Sequence, residues 1–372
     1  MSLVITIVTF LIILAALILV HEFGHFSFAK MFGIRVDEFG LGFPPEIKSF
    51  QKGETKYAIN FLPLGGYVKI FGETIDDDSS SGPDSSRSFV NKSKWVQAAV
   101  LVAGIFFNIL FAFVLFTIGS LSGLPASTDT YADTSIKNIH LSLTEIKPKS
   151  PAEKAGLHVG DILLSVQSGA VTLTGNQLTP DAAQQLIGGS AGQSIKISYS
   201  DNGQKKDVTL QTASGIVEGK PAVGIAMSLI GTEPRLSFLK AIWRGAKLTG
   251  ITLKEVVLGL YQFFSQIFLG HADMSQVSGF VGIAGMVGDA SRFGFAYLLS
   301  FAALISLNLA VINLIPFPAL DGGRLLFILI EAVKGSPIKA RTANIANSVG
   351  FALLIALMIV VTYHDIAKLI FK

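Results

Sequence analysis

The chain has 372 residues, of which half are apolar and 15% charged, with a net charge of +3 and a mean hydropathy of +0.57; it is too apolar for an ordinary soluble enzyme of this length. Its 29 Lys and Arg residues are dispersed along the sequence, which argues against a basic nucleic-acid face. The absence of Cys removes disulfides, thiolate metal sites and cysteine nucleophiles.

The first twenty residues have no basic region before the apolar run and no small-residue cleavage site after it, so they read as an uncleaved transmembrane helix rather than a signal peptide. Crossing a bilayer takes about 20 residues of helix. Four stretches are long and apolar enough: near 3–28, 95–122, 295–315 and 346–370. Segment 30–94 carries nine Lys and Arg, and the 334–344 connection carries Lys334, Lys339 and Arg341, whereas the N-terminus has none. The positive-inside tendency therefore predicts both loops in the cytoplasm, with the termini and the large insertion outside.

Within the first loop, Tyr57 to Ile70 alternates apolar and β-prone residues around Pro63, Gly65 and Gly66, which predicts a β-hairpin or edge strand against the membrane at 57–70. Residues 76–88 are acidic and Ser-rich and read as a flexible linker. The insertion at 126–230 predicts strands near 139–146, 162–166, 194–200, 205–211 and 222–228, with helices near 151–155 and 180–187, a small α+β domain. Segment 231–290 begins with an amphipathic stretch, 236–270, expected at the membrane surface. Gly279, Gly282, Gly285 and Gly288 recur every third residue, which predicts close helix packing rather than a nucleotide loop. The expected units are 1–125, 126–230, 231–290 and 291–372. The fold class is a mainly α-helical polytopic membrane protein with about four transmembrane helices, a membrane-associated β-hairpin and the inserted α+β domain.

The chemistry is concentrated in His21-Glu22-Phe23-Gly24-His25, at the end of the first apolar run. Two His four apart share one helix face and can bind one Zn2+, with Glu22 beside them to polarise a water. Ionisable residues in an apolar segment are costly unless paired, hydrated or functional. A catalytic zinc usually has three protein ligands and an open position. His140, His158, His271 and His364 fall on the wrong side under this topology, whereas Asp321 follows the third apolar helix and returns to the depth of His21 and His25. Asp321 is thus the candidate third ligand, although it could also serve as N-cap to a helix beginning at Gly322.

H-E-F-G-H, together with V-D-E-F-G-L-G-F (36–43), P-L-G-G-Y-V-K (63–69), V-S-G-F-V-G-I (277–283) and N-L-I-P-F-P-A-L-D-G-G (313–323), resembles the site-2 protease family and its bacterial RseP-type branch. The resemblance implies a cytoplasm-facing zinc held by His21, His25 and Asp321, with Glu22 as general base. It implies hydrolysis in or near the transmembrane helices of single-pass membrane proteins, such as anti-sigma factors or remnant signal peptides, in a bacterial inner membrane. Two positions depart from the family pattern: Ile105 and Phe280 stand where Pro is usual. S-P-A-E-K-A-G-L-H-V-G-D-I-L (150–163) resembles the permuted PDZ domains of bacterial proteases, which bind an extended peptide at a sheet edge. Candidate substrate-binding residues are Asn313, by its family match, and Gly65, Gly66 and Tyr67 in the strand expected to pair with an unwound substrate. The alternative is a non-proteolytic PDZ-bearing membrane scaffold with a structural metal site.

Overall fold

Backbone amides in an apolar medium must be satisfied within the chain, and long apolar runs do so as helices. In the computed structural model, which describes residues 3–73, 82–127, 136–201, 203–217, 220–270 and 277–370, α1 (Leu3–Met31) is such a helix. At 1.5 Å per residue it is about 44 Å long. His21 lies ten residues before its last residue, so the H-E-x-x-H motif sits well inside the helix and not at its end as the sequence suggested.

Two long strands follow, β1 (Val36–Lys52) and β2 (Thr55–Ile70), joined through Gly53, whose φ of +64° suits a residue without a side chain. The hairpin is therefore built from 36–70, with its reverse turn at Gly53–Glu54; the stretch 57–70 is one strand and not a hairpin of its own. Both strands bend on themselves. Glu38, Phe39, Gly40 and Leu41 have Lys69, Val68, Tyr67 and Gly66 on one side and Lys56, Tyr57, Ala58 and Ile59 on the other. The Gly66–Ile70 portion is thus an edge, and among the described residues no strand pairs with its outer side. The expected linker at 76–88 lies outside the described residues over 74–81; beyond that, Ser85–Arg87 forms a single 3-10 turn, and Asp84 is held by Arg35 at 2.7 Å.

Helix α2 (Lys94–Ser122) crosses α1 where small residues meet: a Cβ on Gly24 would stand 2.5 Å from the Ala103 carbonyl oxygen. This is the close approach that Gly permits between apolar helices. After β3 (Pro125–Ser127) comes the α/β module: β4 (Lys137–Ile146), α3 (Pro151–Lys154), β5 (Ile162–Ser168), β6 (Val171–Thr174), α4 (Pro180–Gly188), β7 (Ser194–Asp201), β8 (Gln204–Gln211), β9 (Ala213–Val217), β10 (Lys220–Ala222) and β11 (Ile225–Thr232). Its main sheet runs β3-β11-β4-β5-β7-β8, with β6 on β5, and buries Leu143, Val166, Ile195 and Ile197.

The amphipathic segment forms α5 (Phe238–Phe268), which packs along α2 and α7 and leaves Trp243, Tyr261 and other large apolar side chains exposed. Helix α6 (Phe280–Arg292) follows, then α7 (Phe295–Leu314), α8 (Asp321–Lys334) and α9 (Ala340–Ile370). Of the repeated glycines, Gly279 and Gly282 direct their N–H groups to the buried Asp365 carboxylate at 2.8 and 2.9 Å, so α9 caps α6 from outside that helix. Gly288 abuts Thr6 of α1, whereas Gly285 faces open space and needs no close neighbour.

Among the described residues, four helices are long and apolar enough to span a membrane: Leu3–Met31, Lys94–Ser122, Phe295–Leu314 and Arg341–Ala367. The chain is a polytopic membrane protein of mixed helix and sheet.

Candidate active site

The helical period sets His21 and His25 on one face of α1, and that face looks into a cavity of about 630 Å³ bounded by α1, the β2 edge, α7, α8 and α9. Asp321 arrives from another direction. Pro316 and Pro318 end the helical run of α7, and Gly322 and Gly323 fold tightly on the backbone of 314–318, where a Cβ would come within 2.4 Å of carbonyl atoms. That close turn starts α8 with Asp321 as its first residue. The cap position belongs to Leu320, so Asp321 is not the N-cap considered above.

Three donor atoms converge. His21 Nε2 and His25 Nε2 are 3.1 Å apart, and Asp321 Oδ2 is 3.1 Å from the first and 3.3 Å from the second. Ligands of a tetrahedral zinc at the usual bond lengths are about 3.3 Å apart, so the spacing fits that ion. Asp321 Oδ2 is buried and has no hydrogen-bond partner, an orphan that a cation would satisfy.

The rings are also set by their other nitrogens. His25 Nδ1 donates to the Val100 carbonyl at 2.8 Å, leaving Nε2 as the lone-pair atom. Asn108, fully buried on α2, has Nδ2 3.2 Å from His21 Nδ1 and an Oδ1 without a partner. Turning this amide over puts its oxygen against the ring N–H, which satisfies the orphan and fixes the matching tautomer in His21. Ser306 of α7 donates to the Asn108 carbonyl at 2.8 Å and holds the turn of α2 that presents it. Gly104 is the other close neighbour: its Cβ, were there one, would meet His25 Nε2 at 2.4 Å and His21 Cε1 at 2.9 Å.

Glu22 also lines the cavity, with the backbone N–H of Val68 on the β2 edge facing its carboxylate. Gly66 abuts Ile18 and Glu22, and a side chain there would press on both. Tyr67 lines the same cavity and donates its hydroxyl to Glu38 at 2.9 Å, while Gly65 is filled from the other side by Phe43. Asn313 Nδ2 lies 3.4 Å from His21 Nε2, so its amide borders the triad. His140 and His158 lie in the α/β module and His364 near the end of α9, none in the cavity lining; His271 falls outside the described residues. Sequence reasoning missed Gly104 and Asn108 as neighbours of the His pair. The G-x-x-x-N spacing in α2 was the available signal, because it places both on one helix face.

Comparison with known proteins bears on the same region. A sequence model described as Peptidase family M50 matches residues 9–357. The chain is 34% identical to a provisionally named zinc metalloprotease of Clostridium acetobutylicum, over 94% of each chain. It is 29% identical to the zinc metalloprotease RasP of Oceanobacillus iheyensis, over 98% of this chain and 99% of the relative. Against the RasP of Geobacillus kaustophilus the identity is 28%, over 98% of each.

Proposed function

The chain belongs to peptidase family M50, the site-2 proteases, and is a zinc metalloprotease; from that premise we propose that His21, His25 and Asp321 hold the catalytic Zn2+, that Glu22 is the general base, and that the substrate is a single-pass membrane protein cut in or near its transmembrane helix. The observation that carries this reading is the triangle of donor atoms, with sides of 3.1 to 3.3 Å, in the cavity that Glu22 also lines. A non-proteolytic scaffold has no use for Glu22 at that position.

Zinc bound there supplies Lewis-acid polarisation and a water acidified towards neutrality. Glu22 takes the proton of the attacking water and hands it to the leaving amine nitrogen. A helical substrate hides its carbonyls in backbone hydrogen bonds, so it must unwind before it can be cut. The free edge Gly66–Ile70 offers the unwound segment a strand to pair with, and Tyr67 lies on that edge. Gly66 keeps the edge close to Glu22, since a side chain there would press on the carboxylate stem. Asn313, whose amide borders the triad, would donate to a backbone carbonyl freed by unwinding.

Two further assignments rest on charge and on resemblance. The basic connections 30–94 and 334–344 support a cytoplasm-facing zinc in a bacterial inner membrane, as in regulated intramembrane proteolysis. The α/β module then stands outside as a PDZ-like domain, 126–230. Its peptide groove would be the cavity of about 110 Å³ between α4 and the 221–227 segment at the start of β11.

The test is cleavage of a single-pass substrate by the purified chain, wild type against Glu22→Gln, with metal content assayed alongside. Activity lost in Glu22→Gln with zinc retained is the expected result; undiminished cleavage by that variant would overturn the assignment of the base.

A further inference from the structure

Hydrolysis consumes a water and produces a carboxylate and an amine, both charged at neutral pH, so a cavity set among apolar helices needs a polar connection to bulk water. Much of the catalytic cavity offers none: Ile18, Leu309 and Phe351 line it with hydrocarbon. One wall differs. A second cavity, of about 400 Å³, shares Glu73, Leu101, Arg324, Asn347 and Ser348 with the first. It is otherwise bounded by the first turns of α2, the last turn of α8 and the 337–344 segment, the end of the molecule that carries the basic connections.

The polar groups around the outer cavity are mostly tied to fixed backbone. Glu331 is held by Lys94 at 2.5 Å and by the Ile338 N–H at 2.8 Å, and Gln97 donates to the Val90 and Lys92 carbonyls. At the common wall the only ion pair among the described residues is Arg324–Glu73. Arg324 stands one turn after Asp321 on α8, and Glu73 follows the β2 edge, its N–H bonded to the Ile70 carbonyl. The backbones on either side are fixed, by the tight start of α8 and by β2. The two side chains are not: each is a little over a quarter exposed. A partly exposed ion pair stabilises little and can be broken by rotation of two side chains without moving a helix.

We propose that the Glu73–Arg324 ion pair is a gate between the catalytic cavity and an aqueous vestibule, admitting water and releasing the charged end of the cut chain. A strand added along Gly66–Ile70 and running on past Ile70 would meet this pair next, so the gate lies on the line the product must take. The proposal rests on the reading that hydrolysis occurs in the first cavity, but access through the pair can be measured without any cleavage.

The sequence contains no Cys, so one introduced thiol is the sole reporter. Leu309→Cys reports the catalytic cavity, and Ala343→Cys, in a separate chain, reports the vestibule. The full chain in lipid nanodiscs is labelled with a sulfonated maleimide that does not partition into lipid. Breaking the pair with Glu73→Gln, or independently with Arg324→Gln, is expected to speed labelling at 309 roughly fivefold, the scale set by a partly exposed ion pair. Labelling at 343 stays as it was, and the exchanged pair Glu73→Arg with Arg324→Glu brings the rate at 309 back. The proposal is overturned if labelling at 309 is indifferent to both single substitutions, or if 309 and 343 accelerate together, which would mean general loosening.

Discussion

Among the described residues there are two places where three His or carboxylate side chains bring ligand atoms within 4.8 Å of one another: His21 with His25 and Asp321, and His158 with Asp161 and Asp201. By residue type they are alike, yet their surroundings are opposite. In the first, the His25 and His21 Nδ1 atoms turned away from the centre each have their own partner, and the atoms aimed there have one another with only the Asn313 amide beside them. In the second, His158 is exposed, Asp161 already accepts the His158 backbone N–H at 2.8 Å, and Asp201 is bound by Lys206 at 2.8 Å with Arg292 at 3.9 Å. The first group turns its free donor atoms towards a cation site, whereas the second is already paired with Lys206 and Arg292. Convergence of ligand atoms is therefore a weak sign of a metal until the partners of those atoms have been counted.

The largest effect that could break this contrast is in metal content. His25→Ala is expected to remove bound zinc and activity together, whereas His158→Ala leaves the zinc content of the purified chain unchanged. Elemental analysis of the two proteins decides it, and a fall in zinc in His158→Ala would make the two clusters equivalent after all. Next comes Gly104→Ala, a change of one methyl group on α2. Because that methyl would overlap His25 Nε2 at 2.4 Å, one imidazole must leave the triangle. Zinc affinity and kcat should both fall steeply while the helices remain folded by circular dichroism. Asn108→Ala is milder, since it removes the partner of His21 Nδ1 but leaves all three donors. Loss of such an outer partner typically weakens metal affinity about 10–100-fold, which competition with a chelator would read.

How far the site was legible in the sequence follows the range of the interaction. His21, Glu22 and His25 could be read at once, because the helical period alone puts the two His on one face. Asp321 could be reached by counting spans, because a chain that crosses the bilayer returns each loop to a known side. Asn108 and Gly104 were visible as a spacing but not as contacts, since which face of α2 meets α1 depends on the Gly24–Ala103 crossing between helices far apart in sequence. Of the two readings of 57–70, the edge strand holds at Gly66–Ile70, and the hairpin failed for a different reason. Pro63, Gly65 and Gly66 carry the usual marks of a turn, but here they bend a continuous strand, while the real reversal at Gly53–Glu54 lies in a polar stretch that apolar alternation does not mark. The capping of α6 by Asp365, 83 residues beyond Gly282, leaves no local pattern.

The finest test of the contrast is at Asp161. Its side chain is buried, and burial, assisted by the neighbouring Asp201, raises its carboxyl above the ordinary range. The folded module therefore holds the Asp161 proton more tightly than the unfolded chain does, so the stability of the module declines as pH rises through the folded-state pKa. Asp161→Asn keeps an oxygen for the His158 N–H and removes the buried charge. At neutral pH it should stabilise the module slightly, and the gain should vanish in acid, where the native carboxyl is already protonated. Amide hydrogen exchange at Ile195 and Ile197, in the buried sheet beside it, reads the opening of the module within the whole chain. If Asp161→Asn instead speeds exchange at neutral pH, the module needs negative charge at that point. The second cluster would then be organised around a cation as the first is, and the difference between them would be one of affinity rather than kind.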